Sequence, residues 1–332
     1  MILKPNQTIK AFTIIELSVV LLIVAIFITA FFSASRKAID NTGINTTKER
    51  IDEIYKALGR YLESYGKIPC PAAMNLAKGN ASYGIEVTCN TTLTTAGVGI
   101  WESSANSNIV YGMVPVKALG LSADMAEDGF GTKLAYVMIK GYNDRDKLAL
   151  NTHAGTYDGN GTSNRIRINE RPASGASATI VTDSMFVIIS YGLNKSGGFR
   201  ASATTTQNSA STDNADGEPA NYPTNLDTSA GKATLATPFV RSSGASDIFD
   251  DILFYKSRNQ MLTDFNLLSL AKCTGDSPTL YGTTITWPDG NYNQIVPATT
   301  ACPSGYINGP VYPTKKCGPL GVWGNVIAAC VP

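Results

Sequence analysis

The chain has 332 residues, with 27 basic and 26 acidic side chains and a formal net charge of +1. This near-neutral balance gives no electrostatic reason to expect a nucleic acid as partner. Charged residues make up only 16% of the chain, which suits an extracytoplasmic protein with a polar, uncharged surface. The length leaves room for one or two soluble domains.

The N-terminal segment has an order that an ordinary secretory signal lacks. A short basic leader ends at Ala11, and an apolar run extends from Phe12 to Phe32 with Glu16 as its only charged residue. In a secretory signal the apolar region precedes the cleavage site and is discarded. Cleavage after Ala11 would instead keep the apolar run and leave Phe12 as the new N-terminus. The sequence therefore predicts a cleavable leader at 1–11.

The apolar run is long enough to cross a membrane. Its 21 residues would form a helix of ~30 Å, which is about the thickness of the hydrocarbon core of a bilayer. Lys4 and Lys10 in the short flank before the run favour a cytoplasmic N-terminus. We predict a transmembrane and assembly helix at 12–35.

Glu16 is the unusual residue of this segment. A carboxylate in an apolar span costs on the order of a few kcal/mol at the bilayer centre and less near an end. Glu16 could lie at the helix end and reach the lipid headgroups. Alternatively, cleavage creates an ammonium group on Phe12 of a neighbouring subunit, which could pair with Glu16 and favour one axial stagger of packed helices.

An amphipathic pattern follows the apolar run. Apolar and aromatic side chains recur at three- and four-residue spacing between Ile51 and Tyr65, and charged side chains fill the other faces. Gly66 is a typical residue for a helix end. The pattern predicts that 36–66 continues the same helix, which would then be ~80 Å long. We expect Gly43 to be a soft point of this helix.

Residues 67–265 are predicted to form a globular head. Three segments rich in β-branched and aromatic residues indicate strands, at 134–139, 184–191 and 251–256. Three or four antiparallel strands packed on one long helix make an α+β fold. We predict a long N-terminal helix on a small antiparallel sheet, followed by a disulfide-rich β module at 266–332.

The number of cysteines is even, which in a translocated protein predicts disulfides rather than free thiols. A bridge between Cys70 and Cys89 would close a 20-residue segment and contribute roughly 3 kcal/mol of stability. The remaining four cysteines lie in the tail and allow three pairings. Zinc is their alternative use, although the tail has no Cys-x-x-Cys pair. The tail cysteines are Cys273, Cys302, Cys317 and Cys330.

The start of the apolar run carries the motif Ala11-Phe12-Thr13-Ile14-Ile15-Glu16-Leu17. This motif resembles the processing site of type IV pilins and type II secretion pseudopilins, with alanine where that family usually has glycine. The head resembles the major pseudopilin in the order of three further motifs. They are Asp128-Gly129-Phe130-Gly131 before Tyr136, Ser190-Tyr191-Gly192 with Gly197-Gly198, and Asp251-Ile252.

The resemblance implies cleavage after Ala11 by a prepilin peptidase and N-methylation of Phe12. It further implies assembly with homologous pilin or pseudopilin subunits into a helical filament, in which Glu16 sets the register. The protein would start as a single-pass component of the bacterial inner membrane. Its head would lie in the periplasm or on an extracellular filament.

The resemblance also implies a calcium-binding loop between the last two motifs. In this chain that loop, 194–250, is rich in Ser, Thr, Ala and Asn and contains several carboxylates. Carboxylates are the hard oxygen ligands that Ca²⁺ prefers, and Asp247, Asp250 and Asp251 are the first candidate ligands. The alternative is a solvated, low-complexity surface loop.

The tail resembles a complement-control (sushi) module in the pattern of its cysteines, glycines and aromatic residues. The matching positions are Cys302 with Gly305 and Tyr306, then Cys317 with Gly321 and Trp323, then Cys330. The resemblance implies Cys273–Cys317 and Cys302–Cys330 bridges. Such a module would suit adhesion or capping, or it would clamp the C-terminus for stability.

No motif in the sequence supports catalysis. The single histidine, His153, lies in a Gly/Asn/Thr-rich stretch, and no nucleophile elbow, metal-ligand pair or phosphate loop appears. We therefore expect a structural subunit rather than an enzyme, with no cofactor other than calcium. The alternative is a single-pass membrane-anchored adhesin whose Cys-rich tail binds a surface ligand.

Overall fold

The computed structural model has an α+β fold with mixed sheets and three disulfides among its described residues. It describes residues 14–89, 99–104, 108–151, 166–171, 178–202, 207–208, 221, 223–227, 232–234, 239–242, 250–280, 282–306, 312–328 and 330.

A single α-helix, α1, runs over Ile14–Tyr65 and has 52 residues. It covers both the apolar and the amphipathic segments of the sequence. Gly66 ends the helix with a left-handed φ of 66°, a conformation that costs glycine little. Its N–H donates to the Leu62 carbonyl at 2.8 Å, which closes the last turn where the sequence predicts it.

Within the part of the chain that is described, no helix combines the length and the apolarity needed to cross a membrane. The transmembrane assignment of 12–35 therefore stays a prediction. The predicted leader, Ala11 and Phe12 lie outside the described residues.

Nine strands of the described chain form one sheet. They are β1 (Trp101–Ser103), β2 (Ile109–Met113), β3 (Ala135–Ile139), β4 (Ile166–Arg171), β5 (Ala178–Ser190), β6 (Thr224–Asp227), β7 (Lys232–Thr234), β8 (Phe239–Ser242) and β9 (Ile252–Ser257). Their order is β6-β7-β1-β2-β3-β5-β4-β8, and β9 pairs with β5. The β1–β7 and β4–β8 pairs are parallel and the others are antiparallel.

The prediction of a small antiparallel sheet is wrong in both size and direction. The three predicted strands are present as β3, the second half of β5 and β9, and they are antiparallel neighbours. The sheet is larger because six further strands join it: β1, β2 and β4, and also β6, β7 and β8, which form inside the predicted loop 194–250. Strands of three or four residues, such as β6, β7 and β8, carry too little alternation to be recognised from sequence.

The second half of α1 packs on this sheet. Ile54, Leu58 and Leu62 are at most 1% exposed, which confirms the predicted apolar stripe. The Tyr55 ring lies 5.0 Å from the Phe254 ring of β9 and 4.9 Å from the Phe265 ring, centroid to centroid. Aromatic pairs at these distances add to the burial energy of the rings.

The described part of the head also contains two short α-helices, α2 (Arg145–Leu150) and α3 (Arg258–Asp264). A capping box between Ser257 and Gln260 starts α3. Single 3-10 turns are present at Ala123–Ala126, Lys140–Asn143, Leu268–Leu270 and Pro319–Gly321.

The C-terminal part consists of short strands around a small core of Ile285, Trp287 and Ala298. The strands are β10 (Lys272–Cys273), β11 (Thr279–Leu280), β12 (Thr283–Thr284), β13 (Gly290–Asn291), β14 (Ile295–Pro297), β15 (Thr314–Cys317) and β16 (Trp323–Ala328). β10 pairs with β13 and β11 with β12, and β14, β15 and β16 form a three-stranded sheet.

Disulfides join Cys70 to Cys89, Cys273 to Cys317 and Cys302 to Cys330. The predicted Cys70–Cys89 bridge is confirmed, and the tail has the pairing that the sushi resemblance implies. No described cysteine is free. Two of the three bridges lie in the C-terminal part, where the short strands enclose only a small core.

Candidate assembly interface

The first part of α1 is an apolar surface that the described residues leave uncovered. All fifteen described side chains from Ile14 to Ile28 are exposed, and the large apolar ones are between 44% and 87% exposed. We call these residues the apolar N-terminal surface. A helix that is apolar on all sides is normally buried in lipid or among other helices.

Glu16 lies on this surface, in the first turn of α1. A carboxylate at this end of a helix interacts favourably with the helix dipole. The Ser18 hydroxyl donates to the Ile15 carbonyl at 2.8 Å, so this hydroxyl has a hydrogen-bond partner within the helix. Because Phe12 is outside the described residues, the predicted pairing of Glu16 with an N-terminus stays a prediction.

A tight contact attaches the middle of α1 to the head. The Gly129 N–H donates to Thr47 Oγ1 at 2.9 Å, and Thr47 Oγ1 donates to the Gly43 carbonyl at 2.8 Å. An ideal Cβ on Gly129 would lie 2.1 Å from that carbonyl oxygen. Gly43, which we expected to be a soft point, is a position where the backbone of the head packs directly against the helix.

Arg50 adds a second connection one turn further along α1. Its Nη1 donates to the carbonyls of Glu127 at 2.9 Å and of Asp128 at 3.2 Å. The turn 127–130 is therefore held to the helix by both a close backbone approach and a charged donor, which fixes where the head begins along α1.

Two of the motifs that carry the resemblance in the head meet around Asp128, which is 2% exposed. Its carboxylate accepts from the N–H groups of Phe130 at 2.9 Å and Thr132 at 2.8 Å, from the Thr132 hydroxyl, and from Ser190 Oγ at 2.8 Å. Buried charge is tolerated where such donors satisfy it. This carboxylate therefore joins the turn at 128–131 to the end of β5.

A tyrosine pair lies next to this cluster. The hydroxyls of Tyr111 and Tyr191 are 2.8 Å apart, and both side chains are fully buried. Burial raises the pKa of both phenols well above the usual value. The pair is neutral and fastens β2 to the chain that follows β5.

The candidate calcium ligands are only partly within the described chain. The Asn194 N–H donates to Asp250 Oδ2 at 2.7 Å, and Asn221 Nδ2 donates to Asp251 Oδ2 at 2.8 Å. Asp247 and His153 lie outside the described residues. Among those that are described, no three His, Cys, Asp or Glu residues group as metal ligands, and calcium stays a prediction.

Arg258 joins the head to the C-terminal part. It is 2% exposed and donates to the carbonyls of Leu148 at 2.5 Å, Ala149 at 2.6 Å and Leu320 at 3.2 Å. A cation at the end of a helix such as α2 is favourable, and burial lowers its pKa. No local pattern in the sequence marks this arginine, because its partners are about 60 to 110 residues away.

Fold and site together define an α+β protein with an exposed apolar helix at one end and a disulfide-linked β module at the other. Comparisons with protein-family models, with curated proteins and with solved structures found no match to this chain.

Proposed function

We propose that this protein is a prepilin-like structural subunit, a pseudopilin or minor pilin, of a type II secretion or type IV pilus filament. A prepilin peptidase would cleave it after Ala11, and Phe12 would be methylated. The apolar helix would wait in the bacterial inner membrane before assembly, with the head in the periplasm. The large head and its C-terminal module favour a minor or tip position in the filament.

The observation that carries this proposal is the apolar N-terminal surface on a helix whose other half is packed. Each large apolar side chain that leaves water gains about 1.5–3 kcal/mol. The surface comprises a dozen such side chains. Covering it with the same surface of other subunits, or with lipid before assembly, supplies a driving force that the isolated chain does not use.

Glu16 gives this association a register. In a stack of apolar helices, its carboxylate is the one described charge on the surface, and the ammonium of a neighbouring Phe12 is the matching cation. A buried polar pair selects one stagger because every other stagger leaves a charge without its partner.

The first experiment determines the N-terminus of the mature protein by mass spectrometry. We expect a chain that begins at methylated Phe12. An intact Met1, or any terminus other than Phe12, would contradict the proposal and favour the alternative of an uncleaved, monomeric adhesin.

The second experiment replaces Glu16 by alanine. We expect Glu16→Ala to insert in the membrane as the native protein does, because the substitution removes a charge from an apolar segment. Incorporation into filaments, measured by quantitative immunoblotting of sheared filaments, should fall at least tenfold.

The matched control is Glu63→Ala, which removes an exposed glutamate from the packed half of the same helix. We expect this variant to assemble normally. If Glu16→Ala assembles as well as Glu63→Ala, the register argument is wrong.

A further inference from the structure

A cleft lies where the end of α1, the start of α2 and the C-terminal module come together. It has a volume of about 510 Å³, within the usual range for small-molecule sites. Six side chains with polar or charged groups line it: Arg145, Asp146, Ser269, Lys272, Asn291 and Tyr292.

The walls of the cleft are held in place by contacts on both sides. Lys272 of β10 pairs with Asn291 of β13, next to the Cys273–Cys317 bridge. The Thr274 hydroxyl donates to the Leu150 carbonyl at 3.0 Å, which ties the module to the end of α2. The backbone of the cleft is therefore held by the fold, and binding orders only the side chains that line it.

Arg145 is the cation that the fold places in this cleft without using it. Its side chain makes no hydrogen bond or ion pair with any residue in the described ranges. Its position depends on Gly66, where an ideal Cβ would lie 2.9 Å from Arg145 Cγ and 3.1 Å from Nε. The helix end at Gly66 thus leaves room for the arginine at the edge of the cleft.

The charge of the lining favours an anion. Lys272 Nζ is 3.4 Å from Asp146 Oδ1, a long and exposed pair that leaves the Arg145 charge as the excess. A guanidinium offers two parallel N–H donors to a carboxylate, a geometry that a lysine does not reproduce. A carboxylate is therefore the group that this cation fits best.

The other polar side chains of the lining indicate a ligand with hydroxyl groups. Ser269, Asn291 and Tyr292 are exposed, and their side chains form no hydrogen bond within the part of the chain that the structure describes. Tyr292 is 37% exposed, and its ring offers a flat apolar face beside these groups. Hydroxyl, amide and phenol groups next to a ring suit a sugar better than a simple anion.

We propose that this cleft binds a hexuronic acid, with Arg145 on the carboxylate and Ser269, Asn291 and Tyr292 on the hydroxyl groups of the ring. The sugar could be free or part of an acidic polysaccharide. The site is independent of the proposed assembly function, since it uses no residue of the apolar N-terminal surface.

The test is isothermal titration of the full-length protein with sodium glucuronate, glucose, acetate and phosphate. We expect glucuronate to bind at least tenfold more tightly than each of the other three, because glucose lacks the carboxylate and the two small anions lack the ring. Equal binding of glucose would overturn the role of Arg145. Equal binding of acetate or phosphate would overturn the assignment to a sugar.

Variants of Arg145 and of Arg60 provide the matched comparison. Arg145→Ala should weaken glucuronate binding at least tenfold, and Arg145→Lys should weaken it severalfold, since lysine loses the two-pronged contact. Arg60→Ala removes an exposed arginine that does not line the cleft and should change the affinity less than twofold. Equal affinities in Arg145→Ala and Arg60→Ala would refute the site.

A second variant separates a loss of binding from a loss of folding. Asn291→Ala should weaken glucuronate binding by about tenfold without changing the thermal unfolding midpoint, because the side chain is exposed. Unchanged binding in this variant would overturn the assigned contact. A titration with a tri-hexuronate then distinguishes a polysaccharide ligand from a free sugar. Tighter binding than that of the monomer indicates a polysaccharide, and equal binding indicates the free sugar. Either result supports the site.

Discussion

Residues Ile14–Ile28 and Ile51–Leu62 belong to the same helix, yet the first set is exposed on every side and the second buries a stripe against the sheet. The packed half is stabilised by contacts within its own chain. The exposed half is apolar without such contacts among the described residues, and we expect its partners to be other subunits or lipid. A helix can therefore be continuous in backbone while its two halves serve folding and association separately.

The largest expected effect compares one leucine from each half. Leu58 is fully buried, and Leu22 is 62% exposed. Leu58→Ala should lower the free energy of unfolding by about 2–5 kcal/mol because it leaves a cavity, whereas Leu22→Ala should change it by less than about 0.5 kcal/mol. Urea unfolding of the monomeric protein measures the change in unfolding free energy of both variants. Equal losses would show that the N-terminal half also contributes to the fold.

The second effect locates the boundary between the halves. Gly129→Ala would place a methyl group against the Gly43 carbonyl, where an ideal Cβ is 2.1 Å away. We expect a loss of about 1–3 kcal/mol, typical of forced overpacking. Gly79→Ala is the control, because an ideal Cβ there has no neighbour within 4 Å. A Gly129→Ala variant as stable as the control would show that the head is not held to α1 at this point.

The smallest effect concerns the pH dependence of stability that a buried charged side chain causes and an exposed one does not. Glu16 is exposed, whereas Lys133 is fully buried and donates to the carbonyls of Met74 at 2.8 Å and Leu76 at 2.7 Å. Burial lowers the pKa of Lys133 from its ordinary 10.5 to about 8. Between these values the unfolded chain binds more protons than the folded one, so stability should rise with pH.

Urea unfolding at pH 8 and pH 9.5 measures this slope below the range in which the buried tyrosines begin to destabilise the fold. Burial raises the pKa of Tyr111 and Tyr191. Ionisation of these phenols therefore lowers the stability of the folded protein only above about pH 10. Lys133→Met should remove the Lys133 contribution to the rise, and Glu16→Gln should keep it. An unchanged slope in Lys133→Met would show that this lysine does not titrate as described.

Features that depend on neighbours in the chain could be predicted from the sequence. The spacing of apolar residues up to Tyr65 predicts the buried stripe, and Gly66 predicts the helix end, because period and cap are local properties. Cys70 and Cys89 are close enough in sequence to be paired directly. The tail pairing followed from its resemblance to a known module rather than from the residues alone.

Features that depend on distant partners were decided only by the tertiary structure. Strands β6, β7 and β8 are too short to signal themselves and exist because β1 and β4 offer them an edge. Gly43 looks like a flexible point until Gly129 is placed against it, and Arg258 and Arg145 look like ordinary surface cations. Long-range packing brings these groups together. A local sequence pattern does not specify which distant backbone a side chain will contact.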